Sequence, residues 1–188
     1  MSEETVAGGE TIRVVVVDDH AVTLAGIRTV LDAAERIEVV GTAVCGTEAE
    51  ARVRDLRPDI LLLDLVLPDR RPYDVERWVR EHYPETVTLI LTAHDRDALL
   101  SQAVDHDVSG YLTKDQDIPT LVTAVRRAAR GDSLITEEQL RRAEQWQTEV
   151  GAYLAVLSDR EREVLDHLGR GMNNEAIATK LGISVGTM

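Results

Sequence analysis

The sequence predicts an α/β fold, a doubly wound five-stranded parallel sheet, followed by a linker helix and a small, incomplete all-α segment. Three observations predict it. Strand-sized apolar runs alternate with stretches of helical periodicity five times across residues 12–130, the pattern of successive βα units. The runs at 14–17 and 60–63 are continuous rather than alternating, as in strands buried on both faces. Beyond residue 131 the strand-like runs stop and only helical signals remain.

In order, residues 12–17 form the first apolar run and end in two aspartates. Over 21–34 the residues Val22, Leu24, Ala25, Ile27, Val30, Leu31 and Ala34 recur at helical spacing, which gives one apolar stripe. Further strands are expected at 37–44, 60–63, 87–91 and 108–112, and further helices at 47–56, 74–83, 95–105 and 118–130. The last helix is the clearest. Ile118, Leu121, Val122, Val125, Ala128 and Ala129 share a stripe, Pro119 falls in the first turn, and Gly131 follows as a stop; a proline there loses no helical hydrogen bond. Strict alternation implies a parallel sheet with helices on both faces. In such sheets sites form outside the carboxyl ends of the strands, where the strand order reverses.

After Gly131, Thr136-Glu137-Glu138-Gln139 reads as a capping box opening a polar helix to about residue 150, with Leu140, Trp146 and Val150 as its only large apolar groups. This is the linker helix. Ser158-Asp159-Arg160-Glu161 is a second capping box, followed by Val164, Leu165 and Leu168 on one face. Gly171 stops that helix, Asn173 or Asn174 starts the next with Ala176, Ile177 and Leu181, and Gly182 makes a turn. Ser184 caps a third helix that has barely begun at Met188.

Composition narrows the function. The 188 residues suit one ordinary domain and a small second one, and 44% hydrophobic content excludes wholesale disorder;. Acids outnumber bases 34 to 21, a net charge of −13, which excludes a generally basic protein that coats nucleic acid. Cys45, the single cysteine, cannot form an internal disulfide. The aliphatic runs are far shorter than a membrane span, and the polar, acidic N-terminus has no signal-peptide pattern. A cytoplasmic location without membrane association is expected.

Five polar residues stand where apolar runs end: Asp18 and Asp19 after the first, Asp64 after the third, Thr92 after the fourth and Lys114 after the fifth. Alone, an aspartate there is an ordinary helix cap or turn residue, and a threonine an ordinary strand former. Together, on parallel strands, they converge on one edge of the sheet. Crowded carboxylates repel unless a cation joins them, and an oxygen-only set suits Mg²⁺. A carboxylate, a hydroxyl and an ammonium around that ion would make a phosphoryl-transfer site.

RVVVVDDHAVTLAG at 13–26, ILLLDLVLP at 60–68, LILTA at 89–93 and GYLTK at 110–114 resemble the receiver domain of bacterial response regulators, a flavodoxin-like fold, over residues 10–131. The resemblance implies that Asp64 is the phosphoacceptor, that Asp18 and Asp19 hold Mg²⁺, and that the Val66 backbone carbonyl completes the metal site. It further implies that Lys114 pairs with the phosphoryl oxygens, Thr92 hydrogen-bonds them, and Tyr111 is the switch aromatic that turns inward. Residues 158–188, with their capping box, GMNN turn and Ile177-to-Ser184 segment, resemble the first two helices of a LuxR/NarL-type helix-turn-helix, leaving 132–157 as linker. Implied partners are a sensor histidine kinase, a second copy of the chain and, for the full-length protein, promoter DNA. The reaction implied is self-modification rather than enzymatic turnover.

Two departures qualify this picture. The family's turn after the proline ends in glycine, whereas Pro68 leads here into Asp69-Arg70-Arg71-Pro72-Tyr73-Asp74. Pro72 and Tyr73 are expected to build a different loop, Arg70 and Arg71 to be solvated, and His94 to influence the lifetime of an acyl phosphate. Secondly, the base-reading helix starts near Val185 and ends with the chain. From Ser158 onward Asp159, Glu161, Glu163, Asp166 and Glu175 face Arg160, Arg162, Arg170 and Lys180, five acids against four bases. Which residues touch DNA is therefore unknown, and DNA binding is not expected of the chain as it stands. The competing readings are a haloacid-dehalogenase-type enzyme, whose nucleophile would follow the first strand in an Asp-x-Asp pattern absent here, a phosphorylation-independent regulator, and a receiver-only interaction or phosphate-sink module.

Overall fold

The computed structural model describes residues 11–155, 157–169 and 173–184. Its sheet contains β1 (Ile12–Val17), β2 (Ile37–Ala43), β3 (Ile60–Leu63), β4 (Val87–Thr92) and β5 (Gly110–Thr113), all parallel in the order β2-β1-β3-β4-β5. The connecting helices are α1 (Ala21–Asp32), α2 (Gly46–Leu56), α3 (Pro72–His82), α4 (Asp97–Asp105) and α5 (Ile118–Ala128). Three more follow: α6 (Glu137–Ala155), α7 (Asp159–Gly169) and α8 (Asn174–Leu181). The chain forms two compact units that divide between Ala143 and Glu144. Among the described residues no helix is long and apolar enough to cross a membrane.

The continuous apolar runs are explained by burial on both faces. Val15, Val17, Leu61, Leu63, Ile90 and Tyr111 belong to one core cluster with Val53 of α2, Val79 of α3 and Leu100 of α4. Val14, Val16, Ile60, Leu62, Leu89, Leu91 and Leu112 form the other with Leu31 of α1 and Val125 of α5. Alternate residues of each strand thus serve opposite cores, the period-two rule of a strand.

Several boundaries differ from the expected ones for identifiable reasons. Helix α3 begins at Pro72, earlier than residue 74, because proline's fixed φ suits a first helical position;. Pro72 and Tyr73 therefore belong to α3 rather than to a loop. Tyr73 is buried and donates to the Leu99 carbonyl at 2.9 Å. Helix α4 begins at Asp97, two residues late, and β5 begins at Gly110, because Asp107 turns through positive φ first. A Cβ on Gly110 would lie 2.8 Å from Leu89 and 3.0 Å from Leu134. That close approach lets Leu134 N–H donate to the Ser109 carbonyl at 2.7 Å, bringing the chain after α5 back to the strand.

Both capping boxes form. Thr136 and Gln139 exchange hydrogen bonds of 2.9 and 3.1 Å at the start of α6, and Ser158 and Glu161 do the same at α7. Asn173 caps α8 through Ala176 N–H, and Gly182 ends it with positive φ. The expected stop at Gly171 and the third helix from about residue 185 lie outside the described residues. Helix α6 runs past residue 150 to Ala155. Leu140 is exposed, whereas Ala143 is 1% exposed and joins the core cluster containing Tyr111.

One buried acid sits apart from the strand ends. Glu76 of α3 is 3% exposed, and its Oε2 has no hydrogen-bond partner. Burial, above all, raises its pKa, while Arg80 opposes the shift. The folded state therefore holds this proton over a pH interval in which the unfolded chain has lost it, and stability falls as pH rises through that interval. Glu76→Gln removes the slope. The variant is expected to melt above wild type at about pH 7.5, with the gap closing as pH falls toward the ordinary glutamate value of about 4.3. A gap independent of pH in thermal melts contradicts this.

Candidate functional site

The strand order reverses at β1, which has β2 on one side and β3 on the other, and the polar residues gather outside the carboxyl ends of β1 and β3. Asp64 N–H donates to the Val17 carbonyl at 3.0 Å, so the end of β3 is held against that of β1. Asp18 and Asp64 are 1% and 4% exposed. Lys114, just past β5, reaches both. Its Nζ donates to Asp64 Oδ2 at 2.8 Å and stands 2.5 Å from Asp18 Oδ2 as an ion pair without hydrogen-bond alignment. Burial disfavours the ammonium, but the close carboxylates of Asp18 and Asp64 outweigh it and hold the Lys114 pKa above its ordinary value;.

The other carboxylate oxygens are placed by backbone donors. Asp64 Oδ1 accepts from Leu65 N–H at 2.7 Å and Asp18 Oδ1 from His20 N–H at 2.9 Å. Asp19 is more open and lies 2.6 Å from His20 Nδ1. Atoms of Asp18, Asp19 and His20 come within 4.8 Å of one another, close enough to share a cation. Two buried carboxylates therefore share one ammonium, with a third beside them. The donors are mainly oxygens, the set preferred by a hard divalent cation.

Thr92 and Tyr111 complete the edge. Thr92 is fully buried, and its Oγ1 accepts from His94 N–H at 3.1 Å. Tyr111 is 1% exposed, with its ring inward and its hydroxyl donating to the His94 carbonyl at 3.0 Å. His94 itself is exposed. Val66 has an exposed side chain in the β3–α3 loop.

The structure also assembles residues for which the sequence predicts no role at this edge. Helix α6 returns to this edge within the first unit. Gln139 Nε2 donates to the Tyr111 carbonyl at 2.9 Å. Arg142 donates from Nη1 and Nη2 to both oxygens of Asp95 at 3.0 and 2.9 Å and from Nε to Asp97 Oδ1 at 2.8 Å. Hydrogen bonds thus connect Thr92 to His94 and His94 to Tyr111, while α6 grips the same loop and strand. The surface of α4 and β5 is partly occupied by the chain's own linker helix. Asp95-Arg96-Asp97 was the available signal, but no local pattern names Arg142 as its partner. The loop after Pro68 is exposed over residues 68–71, as expected, and is also tied to α2: Arg70 reaches Glu50 at 2.7 Å and Asp69 bonds the start of the helix.

Comparison with known proteins decides the family. The model of the response regulator receiver domain matches residues 14–126. The chain belongs to the response regulators. Residues 155–188 match the model of bacterial regulatory proteins of the luxR family, so the regulator pairs a receiver with a LuxR-type segment and acts, like its relatives, in two-component control of transcription. It is 31% identical over 178 residues to the response regulator protein VraR of Staphylococcus aureus, covering 95% of this chain and 85% of VraR. Among solved structures, a LuxR-family two-component response regulator from Aurantimonas sp. SI85-9A1 superposes with a TM-score of 0.66 at 28% identity, covering 74% of this chain and 99% of that one. The RcsB response regulator of Salmonella typhimurium gives 0.66 at 27% identity, covering 94% and 86%. Response regulators are generally not enzymes.

Proposed function

We propose that a sensor histidine kinase phosphorylates this regulator on Asp64 in the presence of Mg²⁺, and that the phosphorylated receiver controls transcription through the LuxR-type segment. The observation that carries the reading is the placement of Asp64, buried at the end of β3 with one oxygen on Lys114 and the other on a backbone N–H. In the transfer, an Asp64 oxygen forms a bond to phosphorus as the phosphorus–nitrogen bond to the kinase histidine breaks. Bound Mg²⁺ would neutralise charge on the transferring group. Asp18, Asp19, Asp64 and the Val66 carbonyl would hold it, and the excess of buried carboxylate over ammonium supports that fit. Lys114 then keeps one phosphoryl oxygen paired, Thr92 exchanges its His94 contact for another, and Tyr111 fills the space behind.

The receiver is assigned to residues 10–131, the linker to 132–157 and the DNA-binding segment to 158–188. RcsB has been solved in complex with DNA and as dimers bound to DNA, which supports promoter DNA and a second copy as partners of the complete protein. The modification is of the chain itself, without turnover of a substrate, and a cytoplasmic location accords with the family.

Intact-mass measurement after incubation with a small-molecule phosphodonor tests this. Wild type is expected to gain one phosphoryl group with Mg²⁺ and none with EDTA, and Asp64→Asn to gain none under either condition. An unmodified wild type, or a modified Asp64→Asn, overturns the assignment.

A further inference from the structure

We propose that Asp69 is a positioning residue for the metal site: by fastening the β3–α3 loop to the start of α2, it holds the Val66 carbonyl where a Mg²⁺ ion can use it. The inference rests on the metal reading of the preceding section.

The loop runs from Asp64 to Pro72, where α3 begins, and contains no glycine to form a tight turn. Its first end is fixed by the Asp64 N–H bond to Val17. Its other end is fixed by Asp69. Oδ1 accepts from Gly46 N–H at 2.7 Å, and Oδ2 accepts from Thr47 N–H at 2.9 Å and from the Thr47 hydroxyl at 2.7 Å. Helix α2 lacks a cap of its own, since its N-cap Cys45 makes no side-chain hydrogen bond. Asp69 supplies the missing acceptor from another element, with its negative charge at the positive end of the helix. Arg70 adds a second fastening through Glu50, which is on α2.

The contact is close enough to set the loop's position. A Cβ on Gly46 would lie 2.8 Å from Arg70 Cβ and 2.9 Å from Val75 Cγ2, so only glycine lets the loop lie this near the helix. Between the two fixed ends only residues 65–68 remain, and one of them is a proline. Two anchors around so short a segment leave the Val66 carbonyl little freedom. Asp69 holds the loop from outside the ligand set, as carboxylates that orient metal ligands do elsewhere. Hydrogen bonds from the Thr47 hydroxyl and N–H also hold its pKa far below the usual carboxylate range, so the anchor keeps its charge at neutral pH.

The test is Mg²⁺ affinity by calorimetry, without phosphodonor, for wild type, Asp69→Ala, Asp69→Asn and Asp18→Asn. Removing a group that orients a ligand costs about tenfold or more in metal affinity. Asp69→Ala is expected to bind about tenfold more weakly than wild type, beyond the lower melting temperature in EDTA that loss of the α2 cap brings, and Asp69→Asn, which keeps one acceptor oxygen, to fall between them. Asp18→Asn, which alters a ligand itself, is expected to be the weakest. A merely structural Asp69 would lower the melting temperature in EDTA and leave Mg²⁺ affinity unchanged in whichever variant folds; that result overturns the proposal alone. Absence of Mg²⁺ binding by wild type, or equal binding by Asp18→Asn, overturns the metal reading and this proposal with it.

Discussion

Lys114→Met is expected to cost the metal-free chain about 3 kcal/mol of folding stability, the scale seen when one partner of a buried ion pair is removed. The side chain is 18% exposed and pairs with two carboxylates that are themselves 1% and 4% exposed. Methionine keeps the bulk of the stem but leaves Asp18 and Asp64 facing each other without a cation. Bringing a divalent cation to these carboxylates supplies the missing charge. Mg²⁺ at about a hundred times its dissociation constant stabilises a folded state by about 2.7 kcal/mol, and the variant is expected to recover more from it than wild type does. Urea unfolding of both proteins in EDTA and in Mg²⁺ measures the four stabilities needed. Equal stability in EDTA, or equal gains from Mg²⁺, refutes the account. The variant should also fail to hold a phosphoryl group, since the ammonium that would neutralise it is gone.

Arg142→Glu is expected to lift the first turns of α6 away from the β4–α4 loop. In wild type one guanidinium grips Asp95 with two nitrogens and Asp97 with a third. Each partner is a third or more exposed, so screening limits any single pair to under about 1 kcal/mol. Reversal loses every pair at once and sets three acids against one another. A combined cost of about 1.4 kcal/mol corresponds to a tenfold rise in local opening. Hydrogen exchange of the α6 amides up to Ala143 and of the β4–α4 loop should accelerate by that factor or more, with β1 and β3 unchanged. Arg142→Lys, which keeps the charge and loses the planar fork, should fall between. Unchanged exchange in Arg142→Glu would mean that Ala143 and Gln139 alone dock the helix. The result bears on signalling because Gln139 bonds Tyr111, and Tyr111 bonds the loop that carries Thr92's donor.

The order of the strands' polar ends was legible without coordinates for a topological reason. Parallel strands all place their carboxyl ends on one edge, so Asp18, Asp19, Asp64, Thr92 and Lys114 had to assemble once the alternation of strands and helices was recognised. The capping boxes at Thr136 and Ser158 were legible because a cap is a bond between residues three apart. The linker helix shows where local reasoning stops. Its few large apolar residues marked it as a linker, yet among its described residues it is Ala143 that is buried, in the core cluster that contains Tyr111.

By itself, then, the sequence determined the fold class, the edge of the sheet that carries the chemistry and the family whose pattern that edge matches. Each of these follows from periodicity or from chain order. Only the tertiary structure decided which surface residues became fastenings. Asp69 reaches back 22 and 23 residues to α2, and Arg142 reaches back 45 and 47 to the β4–α4 loop. In the sequence each is one charged residue among the many that cover a soluble surface. Its partner is chosen by where two remote elements pack, and neither spacing nor propensity encodes that distance.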